Sequence, residues 1–123
     1  MKITLPVLKE EFKDGKIVSA KSEKEFNIDM SLNAQIRFET KFPKLAEREN
    51  LFDYSQRIFA IKEKSPALSI SKLKLIYCWF NTEMSFDEFV AMFTCTNITY
   101  TNELEDRLAI VFKAIADNSA EKN

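Results

Sequence analysis

At 123 residues, with 46% apolar and 30% charged side chains, the chain has the composition of one globular domain rather than of a fibre or a disordered segment. It carries no histidine, one glycine, three prolines, two cysteines and eleven phenylalanines, for a net charge of −1. Without histidine the usual neutral-pH base, the serine triad and most zinc spacings are missing, and a single glycine cannot build a phosphate-cradling loop.

The segment 1–28 has a weak pattern. Asp14-Gly15 suits a tight hairpin turn between "ITLPVL" and "IVSA", with Pro6 confining the first run to an edge, although the segment reads equally well as a mobile arm. Lys9, Glu10 and Glu11 interrupt any apolar signal core, so no secretory leader is expected.

From residue 29 the period becomes helical, and 29–118 is expected to form a helical domain. Ser31 is the natural cap of a first helix over "LNAQIRFETKF", which Pro43 stops. Its apolar residues fall on two faces, Leu32 with Ile36 and Phe38 with Phe42. "PKLAERE" predicts one short turn with proline at its first position. Leu51–Lys64 predicts a helix whose core stripe is Leu51, Tyr54, Ile58 and Ile61, with Phe52 and Phe59 beside it and Pro66 as its limit.

The next helix is expected over about Ile70–Thr82, capped by Ser69 or Ser71. It contains "LIYCWF", and its stripe is Leu73, Ile76, Tyr77 and Phe80. Leu75, Cys78 and Trp79 fill the rest of its circumference, which predicts a central helix. "MSFDEF" reads as a capping box, Ser85 with Glu88, opening a helix with Phe86, Phe89, Val90 and Phe93 on one side. "TCTNITYTN" predicts a loop, and Leu104, Leu108, Val111, Phe112 and Ile115 stripe a last helix capped by Thr101 or Asn102. Residues 119–123 should fray. The expected fold is mainly α, a small domain of about five helices behind an irregular or hairpin N-terminal segment.

Candidate chemistry is sparse. Asp87 with Glu88, and Glu103 with Glu105 and Asp106, occupy first helical turns, where carboxylates complement the helix dipole. Cys78, flanked by Tyr77 and Trp79, lacks an activating neighbour; it and Cys95 read as buried free thiols. Residues 75–123 hold three basic against eight acidic side chains, which disfavours nucleic acid. The longest charge-free run, Phe89–Asn102, is shorter than the roughly 18–20 apolar residues that cross a bilayer. No enzyme activity, cofactor, metal, nucleic-acid or membrane partner is expected. What remains is apolar surface off the main stripes, Phe38, Phe42, Phe52, Phe59, Leu75 and Trp79: either neighbouring helices cover these second faces or they form a groove for another apolar segment.

The block "AQIRFETKFPKLAERENLFDYSQRI", Ala34–Ile58, resembles the small tail assembly chaperones of long-tailed phages that infect Gram-positive bacteria, and the likeness extends over about Ile28–Asn118. That resemblance implies a cytoplasmic viral protein, absent from the mature virion. It would keep the apolar tape measure protein soluble until the tail tube polymerises, with Phe38, Phe42, Phe52, Phe59, Leu75 and Trp79 as the expected client-binding surface. It also implies a longer frameshifted form that contacts the tail tube protein, and it leaves homo-oligomerisation open. The competing reading is a non-catalytic oligomeric adaptor or structural protein of the virion. A helix-turn-helix regulator fits less well, because the second helix would present Asp87 and Glu88 to phosphates.

Overall fold

Asp14 and Gly15 both take positive φ, 51° and 75°, the pair of conformations that a type I′ turn requires. They join strand β1 (Lys2–Lys13) to β2 (Lys16–Asn27) in a two-stranded antiparallel sheet, so the N-terminal segment is a hairpin and not an irregular arm. The structure, a computed structural model, describes residues 2–94 and 102–121. Equal strands on a two-residue turn put Ile3 opposite Phe26, and both are buried. In that register the odd residues of β1 bond to β2, so Pro6 occupies a position whose N–H would point away from the partner strand.

Six helices lie among the described residues, and the fold is mainly α with this one small sheet added. They are α1 (Leu32–Lys41), α2 (Pro43–Ala46), α3 (Leu51–Ala60), α4 (Pro66–Trp79), α5 (Phe86–Thr94) and α6 (Asn102–Glu121). The chain divides into two units, residues 27–82 and residues 1–26 with 83–123. The expected division set 1–28 apart from a single helical domain over 29–118. The hairpin instead shares a unit with α5 and α6, because Ile3, Leu5 and Val7 alternate onto one buried face of β1.

In that unit β1 packs against α5 and α6, and α5 against α6. Phe26 meets Phe89 edge-on at 6.2 Å, and Phe89 meets Phe93 at 5.1 Å. Leu104, Leu108, Val111 and Ile115 form the buried stripe of α6, spaced as expected, with Phe112 half-buried. The Ser85 hydroxyl accepts from Glu88 N–H at 3.1 Å and donates to the Glu88 carboxylate at 3.3 Å, the side-chain half of the expected capping box. Of the loop expected between α5 and α6, residues 95–101, with Cys95 and the possible cap Thr101, lie outside the described residues, while Thr94 ends α5 and Asn102, the other expected cap, is the first residue of α6. Helix α6 runs through Glu121, into the segment expected to fray.

In residues 27–82, α4 packs against α1 and α3, and α1 also touches α2 and α3. Helix α4 starts four residues earlier than expected. Pro66 is tolerated in its first turn, and the Ser65 hydroxyl accepts from Leu68 N–H at 3.1 Å, so Ser65 caps the helix instead of Ser69 or Ser71. Helix α3 ends at Ala60, short of the expected Lys64, and Ile61 beyond it is 43% exposed. The two ends of the unit are tied together: Asp29 N–H donates to Trp79 O at 2.9 Å and Asn81 N–H to Asn27 O at 2.8 Å, flanking an Ile28–Phe80 bridge.

Candidate functional site

The site grows from how α1 and α3 begin. The Asp29 carboxylate accepts from Ser31 N–H at 3.0 Å and from the Asn33 side-chain amide at 3.3 Å, and Ser31 caps α1. These hydrogen bonds, those of Ser31 first, hold the Asp29 carboxyl down at about 2. A carboxylate depressed by folding contributes stability above its unfolded pKa, and that contribution is lost as pH falls through about 2. We expect a carboxyl NMR titration of Asp29 with its midpoint near 2. Asp29→Asn should flatten the acid limb of the stability curve.

Asn50 caps α3 through a 2.7 Å bond from Asp53 N–H, and Gln35 of α1 reaches across to accept from Leu51 N–H at 2.7 Å. That cross-helix cap fixes α1 beside the start of α3. Ala34 and Phe38 of α1, and Leu51, Tyr54 and Ile58 of α3, turn inward, and the Tyr54 hydroxyl donates to Ser71 O at 2.9 Å to hold α3 on α4.

The outward faces remain apolar. Leu32 is 77% exposed, Phe52 69%, Phe59 51% and Met30 48%. Phe52 and Phe59, seven residues apart, share one face of α3. With Leu32, Met30 and Trp79 they line an open trough of about 690 Å³ whose polar lining is Ser31, Gln35, Asn50, Ser55 and Gln56. Among the described residues no charged side chain lines it.

Of the six residues expected to bind a client, the structure brings three together here: Phe52, Phe59 and Trp79. Phe38 and Leu75 are 0% exposed and cannot line a surface, which corrects that part of the expectation. The physical reason is that α1 presents its Ala34–Phe38 face to the core, so Phe38 stacks on Tyr54 at 5.4 Å, while α4 lies between its neighbours and buries Leu75. Phe42 is half-buried, edge-on to Tyr77 at 6.1 Å and under the Lys74 ammonium at 5.7 Å, and it does not line the trough. Leu32 and Met30 were missed. The signal was the second greasy face of α1, Leu32 with Ile36, which is the one left to solvent.

No protein-family model, curated protein or solved structure matches this chain. The site's chemistry therefore has to be read from its own side chains. Among the described residues no group of three or more histidine, cysteine, aspartate or glutamate side chains could hold a metal ion, and no helix is long and apolar enough to cross a membrane. Burial pushes the Cys78 thiol up to about 12, far from a reactive thiolate at neutral pH. In a Cys95→Ser background, we expect Cys78 to stay unreactive toward an aromatic disulfide reagent until denaturant unfolds the chain. Rapid reaction of the native protein would contradict its burial.

Proposed function

We propose that this chain is a non-catalytic holding protein, a phage tail assembly chaperone that keeps the apolar tape measure protein soluble before tail tube polymerisation. One observation carries the reading: the uncharged apolar trough between α1 and α3, with Leu32, Phe52 and Phe59 each more than half exposed. The resemblance of Ala34–Ile58 to that chaperone family supplies the client's identity.

The energetics suit holding and release. Apolar burial contributes about 25 cal/mol per Å² and association costs about 4–15 kcal/mol, so a trough of this size, open on one side, gives weak, reversible binding. Aromatic side chains supply that area without demanding a fixed hydrogen-bond partner, which fits a client with many different apolar patches. The acidic residues from Glu83 onward would keep a client complex hydrated.

Co-expression with a tape measure protein tests the proposal. Phe52→Asp with Phe59→Asp should move the client from the soluble fraction to the pellet while the variant itself stays soluble and folded. A client that remains soluble would remove the trough from the mechanism. Mass spectrometry of purified particles separates this reading from a structural role, since a virion component would persist there.

A further inference from the structure

We infer that the trough takes a segment that is already helical, presenting an uncharged row of large apolar side chains, and that it rejects extended chain; this rests on reading the trough as the holding surface. An extended segment brings N–H and C=O groups that need partners at every residue, and each one buried without a partner costs about 1–3 kcal/mol. Several of the trough's own polar atoms are already engaged. The Gln35 and Asn50 side-chain oxygens accept from Leu51 and Asp53 N–H, both at 2.7 Å. The Ser31 hydroxyl accepts from Asn33 N–H at 3.3 Å, and the Ser55 hydroxyl donates to Phe52 O at 2.8 Å.

The walls are helices, and the described residues of this unit offer no strand edge, only the isolated Ile28–Phe80 bridge. Strand addition to an edge therefore has no template, whereas a helix satisfies its own backbone and meets the walls with side chains alone. Charge points the same way. A lysine or glutamate pressed into a lining without formal charge would lose water and find no counter-ion, so the contacting face must be uncharged. Phe52 and Phe59 stand about 10.5 Å apart along α3, which matches an i, i+3, i+4, i+7 row on the occupant.

The probe is a hydrocarbon-stapled amphipathic peptide of about 14 residues, four helical turns, with leucine along that row and charges on the opposite face. Binding to the full chain is read from the emission of Trp79, its single tryptophan, which lines the trough. The stapled peptide should bind, and an unstapled version with a central proline should bind at least about tenfold more weakly, as should a stapled version with one row leucine replaced by lysine. Phe52→Asp with Phe59→Asp should abolish the response. Equal binding by the proline peptide, no binding by the stapled one, or binding that survives the double substitution would each overturn the inference. If the co-expressed client still depends on Phe52 and Phe59 while peptide helicity makes no difference, only the helical requirement falls; if the client ignores both residues, the holding surface falls with it.

Discussion

Phe38→Ala should destabilise the protein by about 3–5 kcal/mol in urea titration, whereas Phe52→Ala should change stability by no more than about 0.5 kcal/mol. Both are helical phenylalanines fourteen positions apart in the block that carries the family resemblance, and sequence pattern treats them alike. Their surroundings do not. Phe38 has no exposed surface and lies against Tyr54, so truncation removes its transfer free energy and leaves a cavity that α1, α3 and α4 can only partly close. Phe52 is 69% exposed, and its ring already faces water. A loss of about 3–5 kcal/mol is a large share of the about 5–15 kcal/mol that holds a small domain folded. Phe38→Asp would add a buried unpaired charge, so an unfolded variant there says nothing of client binding; Phe52 and Phe59 are the positions where the proposed holding role can be tested apart from stability. Near-equal stability losses at Phe38 and Phe52 would mean that α1 does not pack with its Ala34–Phe38 face inward.

The contrast marks what was legible in the sequence. The starts of α1 and α5 were, because caps act locally: Ser31 and Ser85 begin them, and Asp14-Gly15 closes the hairpin; the start of α4 was not, because a proline serves equally as the limit of one helix and the first turn of the next. The central place of α4 was also legible, since a helix apolar around its circumference needs neighbours on several sides. What was not legible was which of two apolar faces is covered. Helical period places Leu32–Ile36 and Phe38–Phe42 on different sides of α1, and only the packing of α1 on α3 and α4 decides between them. The grouping of the hairpin with α5 and α6 was hidden for the same reason: Ile3, Leu5 and Val7 announce a buried face without naming its cover. Of the six expected residues, Phe52 and Phe59 on α3 and Trp79 at the end of α4 line the trough, while Leu75, beside the same α4 stripe as Trp79, is buried.

Arg37 carries the second large effect, and nothing in its spacing singles it out. Its side chain lies among backbone acceptors at the C-terminus of α4: Nε donates to Cys78 O at 2.7 Å, and Nη2 donates to Asp29 O and, at 3.5 Å, to Trp79 O. The Asp29 carboxylate stands 3.8 Å from Nη1. The last carbonyls of a helix lack intrahelical partners and sit at the negative end of its dipole, so a planar cation with several donors answers both needs. Arg37→Met keeps much of the stem but strands the Cys78 carbonyl in a part-buried site, while Trp79 O keeps its bond from Asp29 N–H, and we expect it to cost about 1–3 kcal/mol. Arg37→Lys should recover less than half of that, because one ammonium cannot replace the fork. The same contacts hold the Asp29–Trp79 junction, from which Met30 and Trp79 reach the trough. In either variant Trp79 emission should therefore respond to the stapled peptide with a smaller amplitude even where the chain stays folded. An Arg37→Met protein with unchanged urea midpoint would show that solvent, and not this guanidinium, satisfies the end of α4.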